Sequence, residues 1–245
     1  MKFNGVYTII KVILAHFNLA LMRLDKFTKS AVPFDLKLDL IFDVGANSGQ
    51  YGTRLRRLGY TGTIVSFEPL SAAHNILTAN SDNDEKWIVH SKIALGSKRG
   101  KSRIQVSSNS VSSSLLLMSQ LHEDAEPDSL TESSEIVTID TLDHVGPQYF
   151  KGHKCVGLKL DVQGFEMEVL RGASSIISKI GFIQLEMSLT ELYQGQAMYY
   201  ELDQHLRELG FELWGILPGF RDARNGRLLQ YDGLYLRNRT IPTPK

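Results

Sequence analysis

A glycine-rich turn flanked by acidic residues constrains this chain more than any other feature. The turn is Asp43-Val-Gly-Ala-Asn-Ser-Gly49, and Glu68 follows twenty-five positions after Asp43. An apolar run at 38–42 leads into the turn, a helix-compatible run at 51–58 leads out, and a second apolar run at 63–67 ends at Glu68. This order of strand, turn, helix, strand and acid is typical of a nucleotide-type cofactor site, where helix N-terminal N–H groups and a carboxylate bind the ligand.

The rest of the chain continues the alternation of strands and helices. Strands are predicted at 87–90, 102–107, 136–139, 155–160, 182–185, 211–217 and 233–236, and helices at 72–79, 166–175 and 199–209. The segment between the last two strands is long and rich in Pro, Gly and Arg, so we expect these strands to pair antiparallel. The pattern predicts an α/β fold with a twisted, mostly parallel sheet and helices on both faces.

Composition limits the protein class. The 245 residues are 42% hydrophobic and 22% charged, as in an ordinary soluble globular protein. The formal net charge is zero, which gives no support to a nucleic-acid partner. Cys155 is the single cysteine, so a disulfide framework is excluded and a cytoplasmic location is expected.

The first thirty residues form a separate prediction. Apolar residues recur there at three- and four-residue steps beside several Lys and Arg, which indicates a basic amphipathic helix. We therefore divide the chain into an extension at 1–30 and a main domain at 31–245. Packing on the main domain, a peripheral membrane contact and a homodimer interface all remain open for this helix.

The turn itself discriminates between cofactors. A phosphate-binding P-loop motif is absent from the sequence, and Asn47 stands where an NAD site requires its second glycine. S-adenosylmethionine carries no phosphate, and its ribose needs an acid. Asp43 before the turn and Glu68 after the second strand suit this ligand better.

The chain resembles a known family, the FkbM family of class I, Rossmann-like S-adenosylmethionine-dependent methyltransferases. The resemblance rests on motifs spread in order over about residues 38–186, namely 42–51, 66–69, 93–96, 112–115, 138–142 and, most distinctively, 158–173. One departure is Gln163, where members commonly carry Glu. The resemblance implies a mostly parallel seven-stranded sheet with an antiparallel C-terminal strand pair.

The resemblance also implies roles for individual residues. The turn would hold the methionine end of the cofactor, with Asp43 acting directly or by ordering the turn, and Glu68 would bind both ribose hydroxyls. Asp161 would face the methyl group and the acceptor. The full set of expected cofactor contacts is Asp43, Gly45, Ala46, Asn47, Gly49, Glu68, Pro69, Ile93, Ala94 and Asp161.

Family members typically methylate hydroxyls of sugars or natural products, so the expected activity is O-methyl transfer. Asp161 and Glu186 are the candidate catalytic residues, because the acceptor must lose a proton to a base or to a metal-activated site. The pair could bind a divalent cation such as Mg²⁺ or act without one. A non-catalytic cofactor-binding protein and a macromolecular methyltransferase remain alternatives. The acceptor pocket is expected from a polar lid at 107–134, which contains His122, and from residues 187–232.

Overall fold

The computed structural model describes residues 37–238. The prediction of an amphipathic helix at 1–30, with its membrane and dimer alternatives, lies outside the described residues. In chain order the strands are β1 Leu40–Val44, β2 Thr63–Phe67, β3 Trp87–Val89, β4 Ala94–Leu95, β5 Gly100–Ser107, β6 Thr131–Asp140, β7 Val156–Leu160, β8 Ile180–Ser188, β9 Phe211–Pro218 and β10 Gln230–Arg237. The α-helices are α1 Gln50–Arg57, α2 Ser71–Ser81, α3 Gln120–Ala125, α4 Leu142–Val145, α5 Glu166–Arg171 and α6 Tyr199–Glu208.

A seven-stranded sheet forms the centre of the fold. Its strand order is β3-β2-β1-β7-β8-β10-β9, and the five strands from β3 to β8 in this order run parallel to one another. The strands β1 and β7 are buried along their whole length, as expected for parallel strands covered on both faces. The predicted Rossmann-like fold class is confirmed.

The C-terminal strand pair is antiparallel, as predicted. The strand β10 pairs antiparallel with both β8 and β9. The described connection at 219–229 contains only an isolated bridge between Arg221 and Leu228 instead of a crossover helix. A short connection without a helix allows neighbouring strands to run only in opposite directions.

A second sheet of three strands carries the segment that sequence analysis assigned to a lid. Its order is β4-β6-β5, and β5 pairs antiparallel with β6 over nearly its whole length. The expectation of one long loop at 107–134 is wrong in part, because α3 lies inside this segment and β6 begins at Thr131. The irregular part is therefore confined to residues 108–119 and a short stretch after α3.

The main core lies between the large sheet and its helices. Fully buried side chains include Phe42 of β1, Leu158 of β7, Ile183 of β8 and Leu206 of α6. Within the described part of the chain, no helix is both long enough and apolar enough to span a bilayer.

Candidate functional site

A cavity of about 410 Å³ opens at the carboxyl ends of β1, β2 and β7. This is the edge at which open α/β sheets bind ligands. The cavity wall includes most of the residues that sequence analysis singled out for the cofactor: Gly45, Ala46, Asn47, Glu68, Pro69, Ile93, Ala94 and Asp161. Asp43, Gly49 and Glu186 are not in the wall, and their positions are described below.

Gly45 allows the turn to lie directly against the end of β7. Its φ is +75°, and a Cβ atom built there would be 1.8 Å from the backbone oxygen of Asp161. The N–H groups of Gly45 and Ala46 both donate to the oxygen of Phe67, each at 3.1 Å. The turn is thus fastened between the ends of β2 and β7, and only glycine fits at this contact.

Gly49 has a packing role at the start of α1. Its φ is +88°, and an added Cβ would be 3.0 Å from the side chains of Leu77 and Trp87. Gly52, one turn later, lies closer still, since an added Cβ would be 2.3 Å from the Trp87 ring. The absence of side chains at these glycines therefore lets α1 approach α2 and β3. A cofactor contact at Gly49 stays a prediction.

Glu68 lies at the end of β2 and is 4% exposed. Its carboxylate accepts a hydrogen bond from the backbone N–H of Asn47 and another from that of Leu70, both at 2.8 Å. Burial raises the pKa of Glu68 to about 7, against the opposing effect of these two N–H donors. Each carboxylate oxygen has a second lone pair, so the group can order the turn and still accept from a ligand hydroxyl.

We expect Glu68→Ala to weaken S-adenosylmethionine binding by about tenfold or more, because the loss of one charged acceptor is worth roughly 1.5–3 kcal/mol. Calorimetry on the purified protein measures the affinity. Because the pKa of Glu68 is about 7, affinity should also fall as the pH drops from 8 to 6 in the wild type but not in the variant. Glu135→Gln is a matched control, since Glu135 accepts from Ser71 at the start of α2. Unchanged affinity in Glu68→Ala would exclude the ribose role.

Asp43 lies beneath the cavity and is fully buried. Ser66 donates its hydroxyl to Asp43 Oδ2 at 3.2 Å, and the ammonium of Lys159 is 3.6 Å from Asp43 Oδ1. Among the described residues, Oδ1 has no hydrogen-bond partner. Burial raises the pKa of Asp43, against the effect of Lys159. This position favours the ordering role for Asp43 over direct contact with a ligand.

Lys159, in the middle of the buried strand β7, is a site residue to which sequence analysis assigned no role. In the sheet it pairs in register with Asp43 on β1 and Gln184 on β8, so all three side chains share one face. Its ammonium, on a side chain 9% exposed, lies 3.0 Å from Asp161 Oδ2. Its position in the sequence could have identified it, because Lys159 comes two residues before Asp161 and alternate residues of a strand lie on the same face.

The charge of Lys159 determines the state of Asp161. Burial raises the pKa of Asp161, but the Lys159 ammonium and the hydrogen bonds from Lys159 and Gln163 together outweigh burial and hold that pKa below its usual value. The pKa of Lys159 is itself raised, because Asp161 and Asp43 together outweigh its burial. The cavity therefore contains an ionised carboxylate beside a fixed positive charge.

Gln163 joins the two candidate catalytic acids. Its side-chain N–H₂ group donates to Asp161 Oδ1 and to Glu186 Oε2, each at 2.7 Å. Burial and the nearby Asp161 raise the pKa of Glu186 well above its usual value. Over residues 37–238, no group of three or more His, Cys, Asp or Glu side chains is arranged to hold a metal ion.

The irregular segment after β5 forms one wall of the cavity and is fastened at several points. The side-chain amide of Asn47 donates to the Ser110 hydroxyl at 3.3 Å, and the Ser114 hydroxyl donates to the backbone carbonyl oxygen of Gln163 at 2.6 Å. Asn47, Ser110 and Gln163 all have positive φ values, of 46°, 56° and 54°. Left-handed residues other than glycine are costly and concentrate at functional sites.

His122 does not line the cavity. It is buried on α3 against the rings of Tyr193 and Phe220, and burial lowers its pKa to about 4. Tyr193 is also fully buried, while Tyr199 and Tyr200 are exposed on α6. His122 and Tyr193 therefore contribute to packing, and Tyr199 and Tyr200 lie at the surface. None of these four side chains lines the cavity.

Comparison with known proteins identifies the class. The family model for the methyltransferase FkbM domain matches residues 43–213. The chain belongs to this family and is an S-adenosylmethionine-dependent methyltransferase. No curated protein sequence matches the chain.

Solved structures that match this chain share little sequence identity with it. Magnesium protoporphyrin IX methyltransferase from Synechocystis PCC 6803, solved with bound S-adenosylmethionine, is 10% identical, with 96% of this chain and 81% of that chain covered and a TM-score of 0.46. A TehB-like S-adenosylmethionine-dependent methyltransferase from Corynebacterium glutamicum is 11% identical, with 95% and 97% covered and a TM-score of 0.40. At these values neither structure bears on the substrate of this chain.

Proposed function

We propose that this protein transfers a methyl group from S-adenosylmethionine to a hydroxyl of a sugar, a glycan or another small natural product. The observation that carries the proposal is the Lys159–Asp161 ion pair, which places an ionised carboxylate in the cavity. Other polar side chains line a separate part of the same cavity. Such a carboxylate can take a proton from an acceptor hydroxyl, which is what O-methyl transfer requires beyond positioning.

The donor occupies the part of the cavity nearest the glycine turn. The N–H groups of Gly45, Ala46 and Asn47 already donate within the protein, so backbone carbonyls of the turn bind the ammonium group at the methionine end. Glu68 accepts from the ribose hydroxyls. Ile93 and Ala94, which line the cavity at the start of β4, contact the adenine ring. This arrangement directs the sulfonium methyl toward Asp161, whose negative charge also favours the positive sulfur.

The reaction is an in-line displacement at the methyl carbon. The acceptor oxygen forms a bond to that carbon as the carbon–sulfur bond breaks, which leaves S-adenosylhomocysteine. The acceptor proton passes to Asp161, which the charge of Lys159 keeps ionised at neutral pH. Holding the two reactants in line supplies much of the rate enhancement.

Polar side chains in another part of the cavity wall, those of Tyr51, Gln184 and Asp232, are suited to a hydroxyl-rich acceptor. Tyr51 donates its hydroxyl to the Gln184 side-chain oxygen at 3.2 Å, and the Gln184 amide donates to Asp232 at 2.8 Å. All three residues line the cavity. Amide, phenol and carboxylate groups can exchange hydrogen bonds with several hydroxyls of one ligand. The zero net charge gives no comparable support to an RNA acceptor.

A screen with S-adenosylmethionine carrying a labelled methyl group tests the activity. The panel contains monosaccharides, oligosaccharides and small polyols on one side, and RNA and denatured protein on the other. We expect label to enter the first group in an alkali-stable ether linkage. Label in RNA or protein alone would contradict the proposal, and cofactor binding without label in any acceptor would favour a non-catalytic protein.

A further inference from the structure

The side-chain amide of Gln163 lies between the carboxyl groups of Asp161 and Glu186. Its amide nitrogen is 2.7 Å from an oxygen of Asp161 and 2.7 Å from an oxygen of Glu186. An N–H₂ group has two protons, so it can donate to both acids at once. The two carboxyl groups are thereby linked through the hydrogen atoms of one neutral amide, while the Lys159 ammonium contacts the other oxygen of Asp161 at 3.0 Å.

The surroundings fix which end of the amide faces the acids. The Gln163 side-chain oxygen is 2.7 Å from the hydroxyl of Tyr193, which lies on the side away from Asp161 and Glu186. Turning the amide over would direct its oxygen at both carboxyl groups, which are acceptors whenever they are ionised. The orientation with nitrogen toward the acids gives the ionised Asp161 a donor and leaves the amide oxygen beside the Tyr193 hydroxyl.

The backbone of Gln163 is held as firmly as its side chain. Its φ of 54° is left-handed, and its carbonyl accepts the hydroxyl of Ser114 at 2.6 Å. Tyr193, which contacts the amide oxygen, is fully buried and also reaches the carbonyl of Ser112 at 3.0 Å. A strained residue held by four neighbouring groups is built for one side-chain position.

We propose that Gln163 is a positioning residue whose amide takes the place of a divalent cation between Asp161 and Glu186, so that the site binds no such ion in the working enzyme. The inference rests on the proposed role of Asp161 in methyl transfer. An ion entering between the acids would need to displace both amide hydrogen bonds and would then meet an N–H₂ group, which cannot act as a ligand.

Titration with Mn²⁺, followed by calorimetry and by water-proton relaxation, tests the proposal on the full-length protein without any acceptor. We expect no binding by the wild type up to about 1 mM, the weak end of protein sites for such ions. Gln163→Glu would bring a third carboxylate between Asp161 and Glu186. This variant should bind one Mn²⁺ at least about tenfold more tightly, in the range of oxygen-only sites.

Gln184→Glu is the matched control, because Gln184 also donates to a carboxylate in the same cavity, that of Asp232. The Gln184→Glu variant would have two neighbouring carboxyl groups, whereas Gln163→Glu would have three. We therefore expect Gln184→Glu to gain no Mn²⁺ site. Retained affinity for S-adenosylmethionine shows that each variant is folded. Stoichiometric Mn²⁺ binding by the wild type, lost in Asp161→Asn, would overturn the proposal, as would a folded Gln163→Glu that binds no ion.

The wild-type titration decides the matter even when Gln163→Glu fails to fold. The experiment is also separable from the proposed function, since ion binding is measured without turnover. Failure to find a hydroxyl acceptor would leave the ion result unchanged. Full activity of the wild type in the presence of a chelator, once an acceptor is known, adds a second readout in favour of the proposal.

Discussion

Replacing Asp161 by asparagine is expected to lower turnover by about 10³-fold, within the range measured for general bases. The amide cannot accept the acceptor proton, and the ion pair with the buried Lys159 ammonium, at 3.0 Å, is lost. The affinity for S-adenosylmethionine should change far less, because the turn and Glu68 remain in place. Single-turnover assays with labelled cofactor, beside calorimetry of cofactor binding, separate the two effects.

Asp140→Asn serves as the control for this change. Asp140 also ends a strand and contacts basic side chains, with Arg99 at 3.5 Å and His144 at 3.0 Å, but it does not line the cavity. Its substitution should leave the rate within about twofold, as for most substitutions outside a site. Full activity in Asp161→Asn would remove this carboxylate from the mechanism.

Substitution of Gly45 by alanine should be the most damaging change to the fold of the site. The new Cβ would be 1.8 Å from the Asp161 backbone oxygen, and the residue would keep a left-handed φ of +75°. Since the obstacle is backbone at the end of a buried strand, the turn must move. We expect a loss of more than about 3 kcal/mol in the free energy of unfolding, among the severe single substitutions. Urea denaturation measures it.

Gly59→Ala separates the clash from the backbone strain. Gly59 has a similar φ of +89°, but no atom of the described residues lies within 4 Å of an added Cβ. Its substitution should cost only the left-handed conformation, about 1–2 kcal/mol. Equal losses at the two glycines would show that the approach of the turn to Asp161 carries no special constraint.

The order of elements could be predicted from the sequence because hydrophobic period and turn residues are local signals. The strand ends that carry Glu68 and Asp161 were located correctly for this reason. Lys159 could not be recognised in the same way. Its importance comes from pairing in register with Asp43 and Gln184, which lie 116 and 25 positions away in the chain. Strand register is a tertiary property that no local window contains.

Gln163 shows the opposite case, a residue that sequence comparison marked but could not explain. Its departure from the family pattern was visible, whereas its contacts depend on β8, on Tyr193 and on the segment after β5. The segment at 107–134 was misjudged because the first four residues of β6, at 131–134, are all polar and all exposed. No alternation of apolar and polar residues therefore marks the strand there.

The separate three-stranded sheet has a consequence for how such a protein can diversify. Within the described residues, β5 and β6 pair only with each other and with β4, and the large sheet closes without them. Insertions or exchanges in the segment they carry would leave the hydrogen bonds of the large sheet intact. Selection can therefore alter one wall of the cavity at little cost to folding, while the large sheet stays the same.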